Sequence, residues 1–239
     1  MLTLHALLLI VLLAPLAGSL IAGLFGRFIG VKGATWVTIA LMLIAFGLSV
    51  VVFYQFVFLD HASLNWTLYT FSNTGEYHFS IGLLVDRLTV FMMLVVTFVS
   101  LLVHVYSVGY MAGDPGYQRF FSYISGFTFA MLSLVMANNF LLLFFGWEGV
   151  GLVSYLLIGF WFERESANYA SLKAFIANRV GDLGFLLGIA AVLMYFGSID
   201  YQTVFSSVQT GQFDHITLNV LGHHWNVLSV MAILLFVGA

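Results

Sequence analysis

The chain contains no cysteine and very little charge: only 7% of its 239 residues are Asp, Glu, Lys or Arg. Without cysteine it can hold no disulfide, no thiolate nucleophile and no Cys-ligated iron–sulfur cluster. Soluble domains carry about 25% charged residues, so an ordinary soluble domain is excluded. There is also no basic run that could neutralise phosphates, which excludes a nucleic-acid partner.

Hydrophobic residues make up 62% of the chain. Several continuous apolar runs reach 18 residues or more, and a bilayer core of about 30 Å needs about 20 helical residues. Lipid offers no hydrogen bonds to the backbone, so such runs must form helices, and barrel strands would be about 10 residues long with alternating polarity. The sequence therefore predicts an all-α protein, a polytopic transmembrane helix bundle whose solvent is the lipid bilayer.

Seven apolar segments are predicted to be membrane-crossing helices, the last of them incomplete, and they cover residues 2–25, 34–59, 84–111, 120–137, 139–161, 167–196 and 227–239. The first lacks the Lys or Arg of a signal peptide and continues past cleavage length, so we expect it to be retained. The last has 13 residues, too few to cross a bilayer. We therefore expect the chain to be the front part of a longer protein, truncated in its seventh helix.

The chain divides into three predicted parts: two helices in residues 1–59, a surface hairpin in residues 60–83, and a transmembrane domain in residues 84–239. The hairpin prediction rests on alternating apolar residues on either side of the turn-forming residues 72–75. These apolar residues are Leu64, Trp66 and Leu68, then Tyr77, Phe79, Ile81 and Leu83. A short amphipathic helix is predicted after Asp200.

Basic residues predict the orientation of the bundle. With the amino terminus outside, five fall at inner ends and one, Arg87, at an outer end, which satisfies the positive-inside rule. The five inner residues are Arg27, Lys32, Arg119, Arg164 and Lys173. The hairpin then lies at the outer surface.

Glu148 lies near the middle of the fifth segment. A carboxylate at the bilayer centre costs about 2.5 to 3.5 kcal/mol on insertion scales, and such residues usually carry protons or ions. Protonation of a buried carboxylate depends on burial and on nearby charge, so a moving cation can make it take up or release a proton. We therefore predict that Glu148 carries a proton.

The sixth segment holds three further charges. Arg179 and Asp182 are three residues apart and can pair on one helix face, although a buried ion pair can also be a packing device. Lys173 lies close to the inner surface, where its side chain can extend to water. On the third segment, His104 is interpreted as a hydrogen-bonded packing residue, with a relay as the alternative.

Several separated stretches resemble the L subunit, or chain 5 type, of proton-pumping NADH:quinone oxidoreductase, respiratory complex I. The stretches are Phe-Gly-Trp-Glu-Gly-Val-Gly-Leu-Val-Ser-Tyr-Leu-Leu at 145–157, Lys-Ala-Phe at 173–175, Asn-Arg-Val-Gly-Asp at 178–182, Val-Asp-Arg-Leu-Thr at 85–89 and Tyr-Ser-Val-Gly-Tyr-Met at 106–111. The large subunits of sodium/proton antiporters, and the membrane arms of related hydrogenases and carbon-uptake complexes, are similar too.

This resemblance implies an antiporter-like fold built from inverted repeats. It implies that Glu148 is the proton-transfer residue and works with a lysine beyond residue 239, and that Lys173, Arg179 and Asp182 are charge-pairing or tuning residues. It implies no cofactor and no metal on this chain, with NADH, FMN, iron–sulfur clusters and quinone on partner subunits. It also implies other complex I membrane subunits as partners, in a bacterial cytoplasmic or mitochondrial inner membrane.

The predicted function is thus proton translocation in NADH:quinone oxidoreductase, coupled to redox chemistry in other subunits. A subunit of a multisubunit sodium/proton antiporter is the main alternative, and a membrane scaffold is a third. Acids inside the helices argue against the scaffold. Partner subunits distinguish the other two.

Overall fold

The computed structural model describes residues 3–74, 77–211, 213, 215–220 and 222–238. These residues form helices α1 Leu4–Leu24, α2 Gly26–Val57, α3 Arg87–Tyr110, α4 Tyr117–Val135, α5 Phe140–Ile158, α6 Glu165–Phe196, α7 Tyr201–Gln209 and α8 Val227–Gly238. Two antiparallel hairpins complete the described part, formed by β1 Leu64–Thr74 with β2 Tyr77–Val85 and by β3 Thr217–Val220 with β4 His223–Asn226. The predicted all-α bundle with a small hairpin is confirmed.

All seven predicted segments are helical, but in the described residues only five helices are long and apolar enough to cross a membrane: α1, α2, α3, α5 and α6. Polar side chains interrupt α4, among them Ser122, Ser125 and Thr128. The described part of α8 has 12 residues. α4 packs against α1, α2, α3 and α5, so its hydroxyls are covered by neighbouring helices.

Several helix boundaries differ from prediction, and two of these differences have clear local reasons. α2 begins at Gly26 instead of residue 34, because Gly30 adopts φ 67° and ψ −177°, a conformation that glycine allows and that kinks the helix. α3 begins at Arg87 instead of residue 84. Leu84 still belongs to β2, and the Asp86 side chain caps α3 by accepting from the Thr89 N–H at 2.7 Å.

The first hairpin is part of the core as well as of the surface. Its register pairs Leu64 with Val85 and Trp66 with Leu83. Leu83 and Val85 are buried against helices α1 to α4, and the Leu84 N–H donates to the Met136 carbonyl at 2.9 Å. The second hairpin was not predicted, and Gly222 adopts φ 83° in its turn.

The bundle has three buried apolar clusters, the smallest of which lies where α4 meets the ends of α3 and α5. Helices α1 to α4 share one buried cluster with the first hairpin, while α5, α6, α7 and α8 share another. Glycines on α6 pack against α8: a Cβ built at Gly184 would lie 2.8 Å from Val237, and one at Gly188 would lie 2.9 Å from Leu235. Close approach of α6 and α8 therefore needs glycine at these positions.

The turns α1–α2, α3–α4 and α5–α6 meet at one end of the bundle. The Tyr117 and Thr35 hydroxyls are 2.9 Å apart, Arg119 donates to the Phe160 carbonyl at 3.0 Å, and the Trp161 indole donates to Asp114 at 3.0 Å. Successive helices thus alternate in direction, as predicted. The side of the membrane that this basic end faces stays a prediction.

Candidate functional site

The amino-terminal end of α5 is fixed by buried amides. Asn139 caps the helix by accepting from the Leu142 N–H at 2.8 Å, and its own amide donates to the Ser80 carbonyl at 3.0 Å. Asn138 donates to Asn65 on β1 at 2.9 Å. These bonds hold the helix that carries Glu148 against the first hairpin.

Glycines bring α5 close to α4. A Cβ built at Gly146 would lie 2.7 Å from the backbone of Leu134, and one at Gly149 would lie 3.1 Å from Ala130. Only a hydrogen fits at Gly146 without a shift of backbone. Between these two glycines, Glu148 directs its carboxylate to α6.

Glu148, Arg179 and Asp182 form one charge cluster between α5 and α6. Nη1 of Arg179 pairs with the Glu148 carboxylate across the helix interface, and the same nitrogen lies 3.3 Å from Oδ2 of Asp182. The guanidinium also lies over the Phe175 ring, 4.5 Å from its centroid. The predicted contact between Arg179 and Asp182, and its connection to the Glu148 helix, are both present.

Trp147 adds a fourth contact that the sequence analysis missed. Its indole N–H donates to Oδ1 of Asp182 at 3.1 Å, and its ring meets Phe185 nearly at right angles. The available signal was chemical: an indole inside a bundle usually finds a hydrogen-bond acceptor, and Trp147 directly precedes Glu148.

The charge cluster is unbalanced and partly open. Two carboxylates share one guanidinium, so the formal charge is −1 when both acids are ionised. The side chain of Asp182 is 8% exposed, that of Glu148 22% and that of Arg179 37%. Because an uncompensated charge is costly away from water, this arrangement favours binding of one further positive charge, and a proton is the smallest one.

Lys173 lies outside the charge cluster. It is exposed on α6, six residues before Arg179, which corresponds to about 9 Å along the helix axis. Within the described part of the chain it makes no ion pair with Glu148 or Asp182. Nor do any three His, Asp or Glu side chains gather there as a metal site.

His104 belongs to a separate hydroxyl network between α3 and α4. Nδ1 lies 2.8 Å from the Ser100 carbonyl, and Nε2 lies 2.9 Å from the Ser125 hydroxyl. Because a carbonyl only accepts, Nδ1 carries the hydrogen and Nε2 accepts from Ser125. Ser100 and Thr128 complete the network, with hydroxyl oxygens 2.5 Å apart. His104 is hydrogen-bonded as predicted.

Two family models match this chain. The model described as "NADH-Ubiquinone oxidoreductase (complex I), chain 5 N-terminus" matches residues 71–121. The model described as "NADH:quinone oxidoreductase/Mrp antiporter, TM" matches residues 137–239 and so includes the whole charge cluster.

Curated relatives agree with these models. NADH-quinone oxidoreductase subunit L of Neisseria meningitidis is 56% identical over 234 residues, covering 97% of this chain and 34% of the relative. Subunit L of Rhodobacter capsulatus is 46% identical over 96% of this chain and 33% of the relative, and chain 5 of Chondrus crispus is 43% identical over 97% and 34%. The chain thus spans about a third of the length of the curated relatives it matches.

Solved structures support the fold alone. A chain of the Mrp complex from Dietzia sp. DQ12-45-1b matches with a TM-score of 0.77 at 19% identity, over 97% of this chain and 23% of that one. A chain of an archaeal membrane-bound sulfane sulfur reductase matches with a TM-score of 0.74 at 18% identity, over 96% and 32%. This chain belongs to the family of antiporter-like, multi-pass membrane subunits that includes subunit L and chain 5 of NADH:quinone oxidoreductase.

Proposed function

We propose that this chain moves protons as part of a membrane subunit of NADH:quinone oxidoreductase, with Glu148 as the proton-carrying group. The observation that carries the proposal is the sharing of one Arg179 nitrogen by two acids, Glu148 and Asp182, on two different helices. Subunit L of Neisseria meningitidis and subunit L of Rhodobacter capsulatus, which match most of the chain, are subunits of that enzyme by name.

The charge cluster can act as an electrostatic switch. When Arg179 moves away from Glu148, the carboxylate is left without its cation and takes up a proton; when Arg179 returns, the proton is released. Two unit charges 4 Å apart interact by about 4 kcal/mol at an effective dielectric of 20, and about 1.4 kcal/mol changes a protonation equilibrium tenfold. Loss of the ion pair therefore favours the protonated form of the carboxylate, by an amount that solvent screening reduces. Glu148, more exposed than Asp182, is the better placed acid to exchange a proton.

The energy for this switch comes from outside the chain in our proposal. NADH, FMN, iron–sulfur clusters and quinone belong to partner subunits, and this chain responds through neighbouring membrane subunits. A lysine beyond residue 239 would be the mobile cation that competes with Arg179 for Glu148.

A multisubunit sodium/proton antiporter is the alternative assembly. The structural likeness to the Mrp complex concerns the fold, because the identity is 19%. Affinity purification of the full-length protein from its own membrane separates the two: peripheral NADH-oxidising and iron–sulfur subunits support our proposal, and an all-membrane complex supports the antiporter.

Replacing Glu148 with Gln tests the role of the carboxylate. Gln keeps the volume and the hydrogen-bonding capacity but cannot titrate, so we expect the assembled complex to persist while proton pumping driven by NADH oxidation in vesicles falls. Glu148→Asp still titrates and should keep part of the activity. Normal pumping by an intact Glu148→Gln complex would sink the assignment.

We also propose that the amino terminus faces outward. The chain has no cysteine, so Ser166→Cys introduces a single thiol in this chain, at an exposed position in the first turn of α6. Membrane-impermeant reagents should label it from the inner side. Labelling from the outer side would reverse the orientation.

A further inference from the structure

We propose that Trp147 is a positioning residue of the charge cluster: its indole N–H holds the Asp182 carboxylate in place and so keeps Arg179 shared between both acids. This inference rests on the proposed function, because it concerns how the same cluster works.

Trp147 and Glu148 together make a two-point contact with α6. They are consecutive on α5, and they engage different members of the Arg179–Asp182 pair: Glu148 pairs with Arg179, and Trp147 donates to Asp182. Positions three apart on α6 share one face, so one side of α5 contacts both members of the pair. The relative position of the two helices at the cluster is therefore tied to this indole.

The Asp182 carboxylate has one partner on each oxygen, an ion pair with Arg179 and a hydrogen bond from the Trp147 indole. Arg179 lies 3.3 Å from Oδ2 and the indole nitrogen lies 3.1 Å from Oδ1, while the side chain is only 8% exposed. Without the indole, Oδ1 would lose its donor in a place that water reaches poorly, and a buried acceptor without a partner is costly. A hydrogen-bond donor at one oxygen and a cation beside the other also favour one orientation of the carboxylate.

The indole itself is held in place by aromatic neighbours. Its centroid lies 6.2 Å from that of Phe185 at an interplanar angle of 80°, and Phe185 is buried and also contacts Phe144. Edge-to-face contacts of this kind favour one ring orientation. Trp147 is thus a fixed donor and not a mobile one.

A neutral donor has a specific effect on the competition for Arg179. The indole satisfies Asp182 without adding charge, so the guanidinium does not have to serve that acid alone. If the indole N–H is removed, Arg179 becomes the donor on which Asp182 depends, and its bond to Glu148 weakens. The free energy of a hydrogen bond to a charged group is large enough to change the distribution of Arg179 between the two acids by about tenfold.

The test uses the full-length subunit in the assembled complex in membrane vesicles. In Trp147→Phe we expect protons pumped per NADH oxidised to fall several-fold and the pH dependence of pumping to move by about one unit, which a tenfold change in equilibrium produces. Trp147→His keeps a ring N–H and should recover part of the loss. Trp161→Phe is the matched control, because it removes an indole N–H that donates to Asp114 at 3.0 Å, away from the cluster.

The outcomes separate this inference from the proposed function. Normal pumping in Glu148→Gln overturns the function itself. A second outcome overturns only the positioning role. In it, Glu148→Gln stops pumping, but an intact Trp147→Phe complex pumps like the Trp161→Phe complex and with the same pH dependence. The proposed function then stands. If neither Trp147 variant assembles, the structure of the unmodified complex decides: an indole nitrogen beyond hydrogen-bond distance from Asp182 overturns the inference, and one within it supports it.

Discussion

The hydroxyl network between α3 and α4 is buried and neutral, whereas the charge cluster between α5 and α6 is partly open and charged. His104 is fully buried, and both of its ring nitrogens have neutral partners. Thr128 returns its hydroxyl to the Ile124 carbonyl of its own helix at 2.9 Å. In the charge cluster, by contrast, Glu148 and Asp182 compete for one cation, and the formal charge does not cancel.

The comparison shows that a polar residue inside a membrane helix is not enough to indicate transport. A network in which each group has a neutral partner stabilises one arrangement, because a proton added to His104 would place an uncompensated charge among neutral groups and force the Ser125 hydroxyl to turn from donor to acceptor. A cluster with one cation and two anions has two alternative pairings, because the cation can pair mainly with one acid or mainly with the other. Exchange of a proton requires the second kind.

The largest effect should come from removing the shared cation. In Arg179→Gln both acids lose their ionic partner, so the switch has no moving charge, and we expect pumping to fall by at least about tenfold. Protons pumped per NADH oxidised, measured in vesicles with complex content determined separately, checks this. An intact Arg179→Gln complex that pumps normally would mean that the cluster is a packing device like the hydroxyl network.

A smaller and different effect is expected at the hydroxyl network. His104→Leu keeps the bulk but removes both hydrogen bonds, leaving Ser125 and the Ser100 carbonyl without this partner, which should cost about 1 to 3 kcal/mol of stability. Thermal unfolding of the complex should shift downward, with protons per NADH unchanged. Ser49→Ala is the control, because it removes one buried hydroxyl whose bond goes to its own helix at 2.8 Å. A pumping defect in a stable His104→Leu complex would make His104 a relay.

Much of this comparison was available from the sequence. Glu148 stands out because it is an acid inside a long apolar run, and the spacing of Arg179 and Asp182 predicts their contact through helix geometry alone. Local patterns also predict the first hairpin and α7. These features depend on residues close together in the chain.

The parts that were missed depend on which helix faces meet. Trp147 looks like one more apolar residue until α6 is placed opposite, 35 residues later in the chain. The predicted start of α2 was too late in the chain, because Arg27 and Lys32 suggest a helix end. Gly30 instead allows the helix to kink and continue. The second hairpin has strands of only four residues each, too short for an alternating pattern to appear.

The smallest effect should come from replacing Lys173. This replacement tests whether any positive charge on α6 supports pumping or only one placed at Arg179. Lys173 is exposed, about 9 Å along the helix from Arg179, so a charge there acts through a more polar and more screened path. We expect Lys173→Gln to change pumping by less than about twofold, and raised salt to remove most of that change, as for surface charges in general. Pumping by Lys173→Gln and Arg179→Gln, compared at low and high salt in the same vesicles, gives the contrast directly. Equal losses in the two variants would extend the cluster to Lys173 and require a conformation in which α6 brings both cations to Glu148.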